Sequence, residues 1–253
     1  MPLLITLKLV LVPSLIGLIT LSGRRWGATV AGWLSAFPVV AGPILFFIVS
    51  EQGAEFATSA TVGTLSAVLA ILAFGISYSW ATLRFNWLGS LICAMGAYSV
   101  AVVALKTFPP SLGIGAFLNV VALLIAPRLF PIASVPAASP KTSYSELPFR
   151  MLAGAVLVLS VTYFAANLGP RLSGLFAMFP VMSTVLVVFS HRYAGREFAI
   201  NLLRGMILGW YAFSSFCIIL ALSLPNYGIA TSFSAAIGCA VLVQAASRQF
   251  MKK

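Results

Sequence analysis

The sequence predicts an all-α integral membrane protein. Nine transmembrane helices are expected, as two inverted-topology four-helix repeats joined by a linking helix (4+1+4), N-out and C-in. Three observations carry this expectation. The 253 residues are 61% hydrophobic and only 8% charged, where soluble domains carry about 25% charged residues. The apolar residues gather into runs of spanning length. The chain also matches itself: shifted by 142 positions, it aligns without a gap from residue 7 to 108, with 21 identities in 102 columns.

A spanning helix needs about 20 mostly apolar residues. Nine such runs occur, at 3–22, 27–50, 57–80, 86–105, 111–127, 150–168, 172–190, 198–223 and 226–247. Between Arg128 and Arg150 the stretch PIASVPAASPKTSYSELP is rich in Pro, Ser and Ala and reads as a loop on the membrane surface. No basic n-region or small-x-small cleavage site marks the start as a signal peptide.

Lysine and arginine set the orientation. With the N-terminus outside, the inner loops and tail hold Arg24, Arg25, Arg84, Arg128, Lys141, Arg150, Arg192, Arg196, Arg248, Lys252 and Lys253, while the outer loops hold only Lys106 and Arg171. Lys8 lies near the outer end of the first span, within snorkelling reach of the surface. Trp26, Trp80 and Trp87 fall at the inner interface, where amphipathic rings are enriched. The net charge of +11 is spread over loops and forms no stripe, so nucleic acid is not an expected partner.

The self-alignment has a consequence for topology. Phe37-Pro38-Val39 falls on Phe179-Pro180-Val181, and Gly53-x-Glu55-Phe56-Ala57 on Gly195-x-Glu197-Phe198-Ala199. Gly27, Gly32, Gly63 and Gly96 fall on Gly169, Gly174, Gly205 and Gly238. Each repeat has four spans, and one extra span separates them. The second repeat therefore enters from the opposite face, as in inverted-repeat transporters. Charges agree: Arg24-Arg25 have Ala166-Asn167 as partners, whereas Ser50 and Ala54 have Arg192 and Arg196. The units are a first repeat at 1–108, a linking helix and cytoplasmic loop at 109–148, and a second, inverted repeat at 149–253.

The run LSGLFAMFPVMSTVLVVFSHRYAGREFAINLLRGMILGW resembles the GlpM family of small four-span bacterial inner-membrane proteins. The shared features are a glycine and an FP pair in the second span, a charged loop with Gly, and a Glu opening the third span. AGWLSAFPVVAGPILFFIVSEQGAEFA resembles it more loosely. The resemblance covers both repeats but not the fifth span. It implies a tandem fusion of two such units in a bacterial inner membrane, with a periplasmic N-terminus and a cytoplasmic C-terminus. It implies no defined activity.

An enzyme is not expected, and neither is a cofactor or a metal. There is no Asp, and the four acids are Glu51, Glu55, Glu146 and Glu197. His191, the single histidine, reads as an interfacial cation in a basic loop. No nucleophile has an evident base and orienting acid. Cys93, Cys217 and Cys239 lie in apolar runs without metal-ligand spacing and read as small buried hydrophobes.

Transport is the expected class. Pro38 and Pro180 interrupt their spans near mid-depth, which would free the carbonyls of Leu34 and Phe176 four residues back. Such carbonyls need a protein partner or a watery cavity. Ser35, Phe37, Pro38, Phe179, Pro180, Ser183 and Thr184 are the candidate substrate-binding residues. Glu197, Asn201 and Arg204, at i, i+4 and i+7, share a helix face and read as a Glu–Arg contact or a gate, with Glu55 the acid at the opposite mouth. The small residues Gly32, Gly63, Gly75, Gly89, Gly96, Gly174, Gly205, Gly209 and Gly238 read as sites of close helix packing. Asn119 and Gln244 read as interhelical hydrogen-bond partners.

The expected function is a secondary transporter or facilitator moving a small neutral, anionic or amphipathic solute by alternating access, through a midplane site formed by the proline-broken helices 2 and 7. The alternatives are a non-transporting scaffold or accessory subunit of an envelope polymer or lipid pathway, and a lipid translocase. Expected partners are the lipid bilayer and a small-molecule or lipid-like substrate; self-association into a homo-oligomer stays open.

Overall fold

A computed structural model describes residues 2–133, 146–167 and 179–249, with the side chains of 2–5, 7, 8 and 161–167 outside the description. The described residues form nine helices and no strand. They are α1 (Pro2–Trp26), α2 (Ala28–Ser35), α3 (Ala41–Ala81), α4 (Trp87–Thr107), α5 (Leu112–Leu129), α6 (Glu146–Asn167), α7 (Val181–Ala194), α8 (Arg196–Ser223) and α9 (Ile229–Ser247). Among the described residues six helices are long and apolar enough to cross a membrane: α1, α3, α4, α5, α8 and α9. The surface loop read between Arg128 and Arg150 lies largely outside the described residues. So do Gly169, Gly174, Phe176 and the start of the seventh run.

The second predicted run is not one helix. It divides into α2, of 8 residues, and the first part of α3. The division falls at Pro38. Val39 N–H donates to the Phe37 carbonyl at 2.8 Å, an i to i+2 turn centred on the proline, and Gly42 N–H donates to Pro38 O at 2.9 Å to restart the helix. In the seventh run a helix starts at the same place, after Pro180, and the same turn precedes it. Val181 N–H donates to Phe179 O at 2.7 Å and Thr184 N–H to Pro180 O at 2.8 Å. Pro180 has φ −77° and ψ 59°, the geometry of an inverse γ-turn. A ring that locks φ and supplies no N–H suits that central position.

A second pair of breaks follows. α3 turns at Gly53, with φ 84° and ψ 171°; Gly195, between α7 and α8, has φ 90° and ψ 170°. Side chains with a Cβ rarely adopt this backbone, and glycine does so freely. Beyond these glycines the helices run over 54–81 and 196–223, which coincide after a shift of 142. The starts of α4 and α9, Trp87 and Ile229, also differ by 142. Five of the identities between the halves fall on equally buried positions, whereas Phe56 is exposed and its counterpart Phe198 buried. Ala57 and Ala199, Ala70 and Ala212, Phe74 and Phe216, Ser90 and Ser232, and Ala94 and Ala236 are all 0% exposed.

α8 is the hub, packing on α2, α3, α5, α7 and α9, while α1 packs on α6 and α2. The seam of α2 on α8 is built from backbone. A Cβ on Gly32 would run into Leu202 O, one on Gly205 into Thr29 O, and one on Gly209 into Trp33 O. Gly205 and Gly209 form a small-xxx-small pair, the pattern that lets helix backbones approach closely. Polar groups brace the assembly. Asn119 Nδ2 of α5 donates to Leu65 O of α3 at 3.0 Å. Gln244 Nε2 of α9 donates to Trp33 O at 2.9 Å, and Trp33 Nε1 donates to Ser247 Oγ at 2.8 Å. The outward faces stay apolar: Ile92, Val100, Phe117, Leu124, Val156 and Leu242 are exposed, as lipid contact requires.

Candidate functional site

The two FP turns are the natural place to begin. Pro38 and Pro180 are buried, and Phe37 and Phe179 half-buried. The freed carbonyls differ from those expected at the first turn. Leu34 O is taken by Phe37 N–H at 3.3 Å. The carbonyls served by side chains are its neighbours: Gly32 O accepts from Ser35 Oγ at 2.7 Å, and Trp33 O from Gln244. The shift arises because the turn tightens before the proline, so the N–H that a regular helix would give to Trp33 goes one residue further on. Phe176 lies outside the described residues.

The rings of the two turns fall in different core clusters. Phe37 packs against the smaller one, which contains Leu45, Ala212 and Phe216, while Ala36 and Val40 on either side belong with the larger; Phe179 packs against that larger cluster, edge-on to Tyr98 with ring centroids 6.1 Å apart. Ser183 is buried, its Oγ 3.6 Å from Met206 Sδ of α8. Met206 also abuts Gly32, so α8 lies against both α2 and α7. Thr184 is 8% exposed and its Oγ1 has no hydrogen-bond partner among the described residues. This hydroxyl faces a groove of about 290 Å³ between α4, α6 and α7, otherwise walled by Leu91, Val156, Leu157, Val188 and Phe189.

The charged stripe on α8 is arranged differently from the sequence reading. Glu197 pairs with its neighbour Arg196, Oε1 to Nε at 3.0 Å, on the exposed surface. That hydrogen bond is the main influence holding its carboxyl below the usual range. Arg204, half-buried, directs Nη1 to Pro131 O at 3.5 Å, beyond the end of α5. Two turns of helix separate Glu197 from Arg204, and each side chain has a nearer partner. Asn201, between them, is half-buried; Glu55 is exposed at the start of the helix over 54–81. The threonines beside it, Thr58, Thr61 and Thr64, donate to carbonyls four residues back in their own helix.

Two sequence readings need correction. His191 is not a loop cation: it lies on α7, half-buried, with Nδ1 3.1 Å from the hydroxyl of the fully buried Tyr78 on α3 and its ring edge-on to the tyrosine. Burial is the largest influence on its pKa, which lies below the ordinary value of 6.5. Nothing in the linear sequence pairs a tyrosine and a histidine 113 residues apart. Of the cysteines, only Cys217 is buried; Cys239 is intermediate and Cys93 is exposed on the apolar face of α4. All three are free thiols. Among the described residues no group of three or more His, Cys or acidic side chains is placed to hold a metal.

No family model, curated protein or solved structure matches the chain. The resemblance to GlpM-like proteins therefore rests on its short motifs alone. Residues, not relatives, carry the functional reading.

Proposed function

We propose that the chain is a secondary transporter or facilitator for a small neutral, anionic or amphipathic solute. In this reading 1–108 and 149–253 are inverted repeats fused from GlpM-like units through a linking segment at 109–148. The nine runs all span a bacterial inner membrane, N-out and C-in. Alternating access rocks the repeats about the seam of α2 on α8.

The observation that carries the reading is the pair of FP turns. The same three residues make the same i to i+2 hydrogen bond in both halves, each just ahead of a helix. Irregular backbone at membrane depth is tolerated where protein buries it or where it lines a cavity, and broken helices recur at transporter binding sites. Repetition of the break in both halves favours a shared purpose over a local kink.

The groove beside Thr184 favours a second reading, in which the solute is lipid-like. It is lined by α4, α6 and α7, and its walls are apolar apart from Thr184 and Ser160.

Cysteine accessibility tests the proposal. In a variant lacking the three native cysteines, single cysteines are placed at 33–42 and 179–184 and exposed to a membrane-impermeant thiol reagent from each face. Transport predicts reaction at the turns from both faces. Protection from both faces at every position would overturn it in favour of a scaffold. Phospholipid flip-flop in reconstituted vesicles, abolished by Thr184→Leu, would favour the lipid-like solute.

A further inference from the structure

The groove beside Thr184 has a counterpart in the first half, and the two places are filled differently. Val188 and Leu91 stand on its α7 and α4 walls. A shift of 142 carries Val188 onto Phe46 and Leu91 onto Phe233. There the two rings meet edge-on with centroids 5.4 Å apart, and Phe233 packs again on Phe216 at 6.3 Å. The first half closes this place with aromatic side chains. The second half leaves it open behind shorter aliphatic ones.

The polar group changes in the opposite sense. Thr184 falls on Gly42, which is buried, with Phe216 Cζ 3.8 Å from where a Cβ would stand. The second half therefore adds a hydroxyl where it removes two rings. Thr184 is 8% exposed, and its Oγ1 makes no hydrogen bond among the described residues. A polar group buried without a partner is costly, and one hydrogen bond from a ligand would offset that cost. An apolar cavity of about 150 Å³ holds a benzene ring, so about 290 Å³ suits two fused rings. Among the described residues that line the groove none is ionisable, so a charged ligand would lose its hydration without compensation. Val156, on the α6 wall, is 55% exposed, which puts the groove within reach of a compound dissolved in the bilayer.

We propose that this groove binds one uncharged compound of about two fused rings carrying a hydroxyl or carbonyl oxygen. Its rings lie between Val188 and Leu91, and its oxygen hydrogen-bonds to Thr184 Oγ1. The site rests on the second reading above and narrows its lipid-like solute to a ring compound. Binding is measured without transport, so that either can fail alone.

Thermal unfolding of the full chain in phosphatidylcholine nanodiscs tests the site, with 2-naphthol as the probe and naphthalene as its control. 2-Naphthol should raise the Tm saturably, and naphthalene should do so only at higher concentration. Thr184→Val should raise the 2-naphthol concentration needed for half the effect about fivefold, the loss of one neutral hydrogen bond, and leave naphthalene unchanged. Leu91→Phe/Val188→Phe, which copies the ring pair of the first half, should abolish both responses without lowering the starting Tm. Ala153→Leu, which copies Leu11 onto the α6 wall, should weaken both responses and serves if the double variant does not fold. Absence of a saturable rise with 2-naphthol, or a rise that survives these wall variants, would overturn the proposal. So would equal weakening of both probes by Thr184→Val, or a phospholipid seen by native mass spectrometry on the wild type and lost from the wall variants. Any of these results with the FP turns still reactive from both faces removes the site and leaves transport standing.

Discussion

Gln244 and Asn119 are both buried amides reaching a neighbouring helix, but they serve different carbonyls. Leu65, which accepts from Asn119, lies inside an unbroken stretch of α3. Trp33 O lies at the end of α2, where the chain gives the expected N–H to Leu34 instead. Removing the amide should therefore cost more at Gln244. Gln244→Leu strands a buried carbonyl, at about 1–3 kcal/mol, whereas Asn119→Leu should lose about 0.5–1.5 kcal/mol. Asn119 Oδ1 and Gln244 Oε1 are both buried without a partner among the described residues, so the difference rests on the carbonyls alone. Comparing the thermal midpoints of the two variants checks the order. His191 supplies a pH dependence. Burial, opposed by Glu197 and aided by Arg196, keeps its folded pKa below 6.5. The folded state then binds fewer protons than the unfolded one, so this contribution to stability is complete above pH 6.5 and is lost as pH falls through the folded value. The Tm should fall between pH 7.5 and 5, and His191→Gln should flatten that fall. Both histidine and tyrosine were visible as residues, but their contact depends on how α3 and α7 lie together, which periodicity does not encode.

Elements were more legible than contacts. Repeated prolines marked two of the breaks, because a missing N–H is a property of the residue itself; Gly53 and Gly195 were visible only as matching positions of the repeat, and their positive φ came from the structure. Pro38, Pro180, Gly53 and Gly195 all end or restart helices. The sequence did not reveal how far the break at Pro38 divides its span, since the apolar run continues across it. The glycines expected at helix contacts also divide once the packing is known. Gly32, Gly205 and Gly209 meet backbone, while a Cβ on Gly75 would meet Phe130 Cζ at an ordinary 3.4 Å. Gly205→Val should therefore destabilise by at least the 1–3 kcal/mol typical of overpacking, with loss of monodisperse protein on size exclusion. Gly75→Ala should be close to neutral in the same assay.

At the scale of the whole molecule, charge and hydropathy identified a multi-pass membrane protein, since six helices suit a bilayer by length and composition. They could not show which half supports which. The rings of Phe37 and Phe179 fall in separate core clusters, a grouping set by long-range packing and invisible to local pattern. The backbone-to-backbone seam runs between sequence halves, α2 on α8; α3 on α8 and α1 on α6 cross between halves too, beside the extensive within-half packing of α3 on α4 and α8 on α9. Because α2 meets α8 backbone to backbone, neither half can satisfy its own glycine face. Covalent continuity through 134–145 is then dispensable for assembly, while the other half is not. A gene cut within that segment should yield two polypeptides that co-purify when made together and are degraded when made singly. The protein would behave as an obligate heterodimer that happens to be encoded in one reading frame.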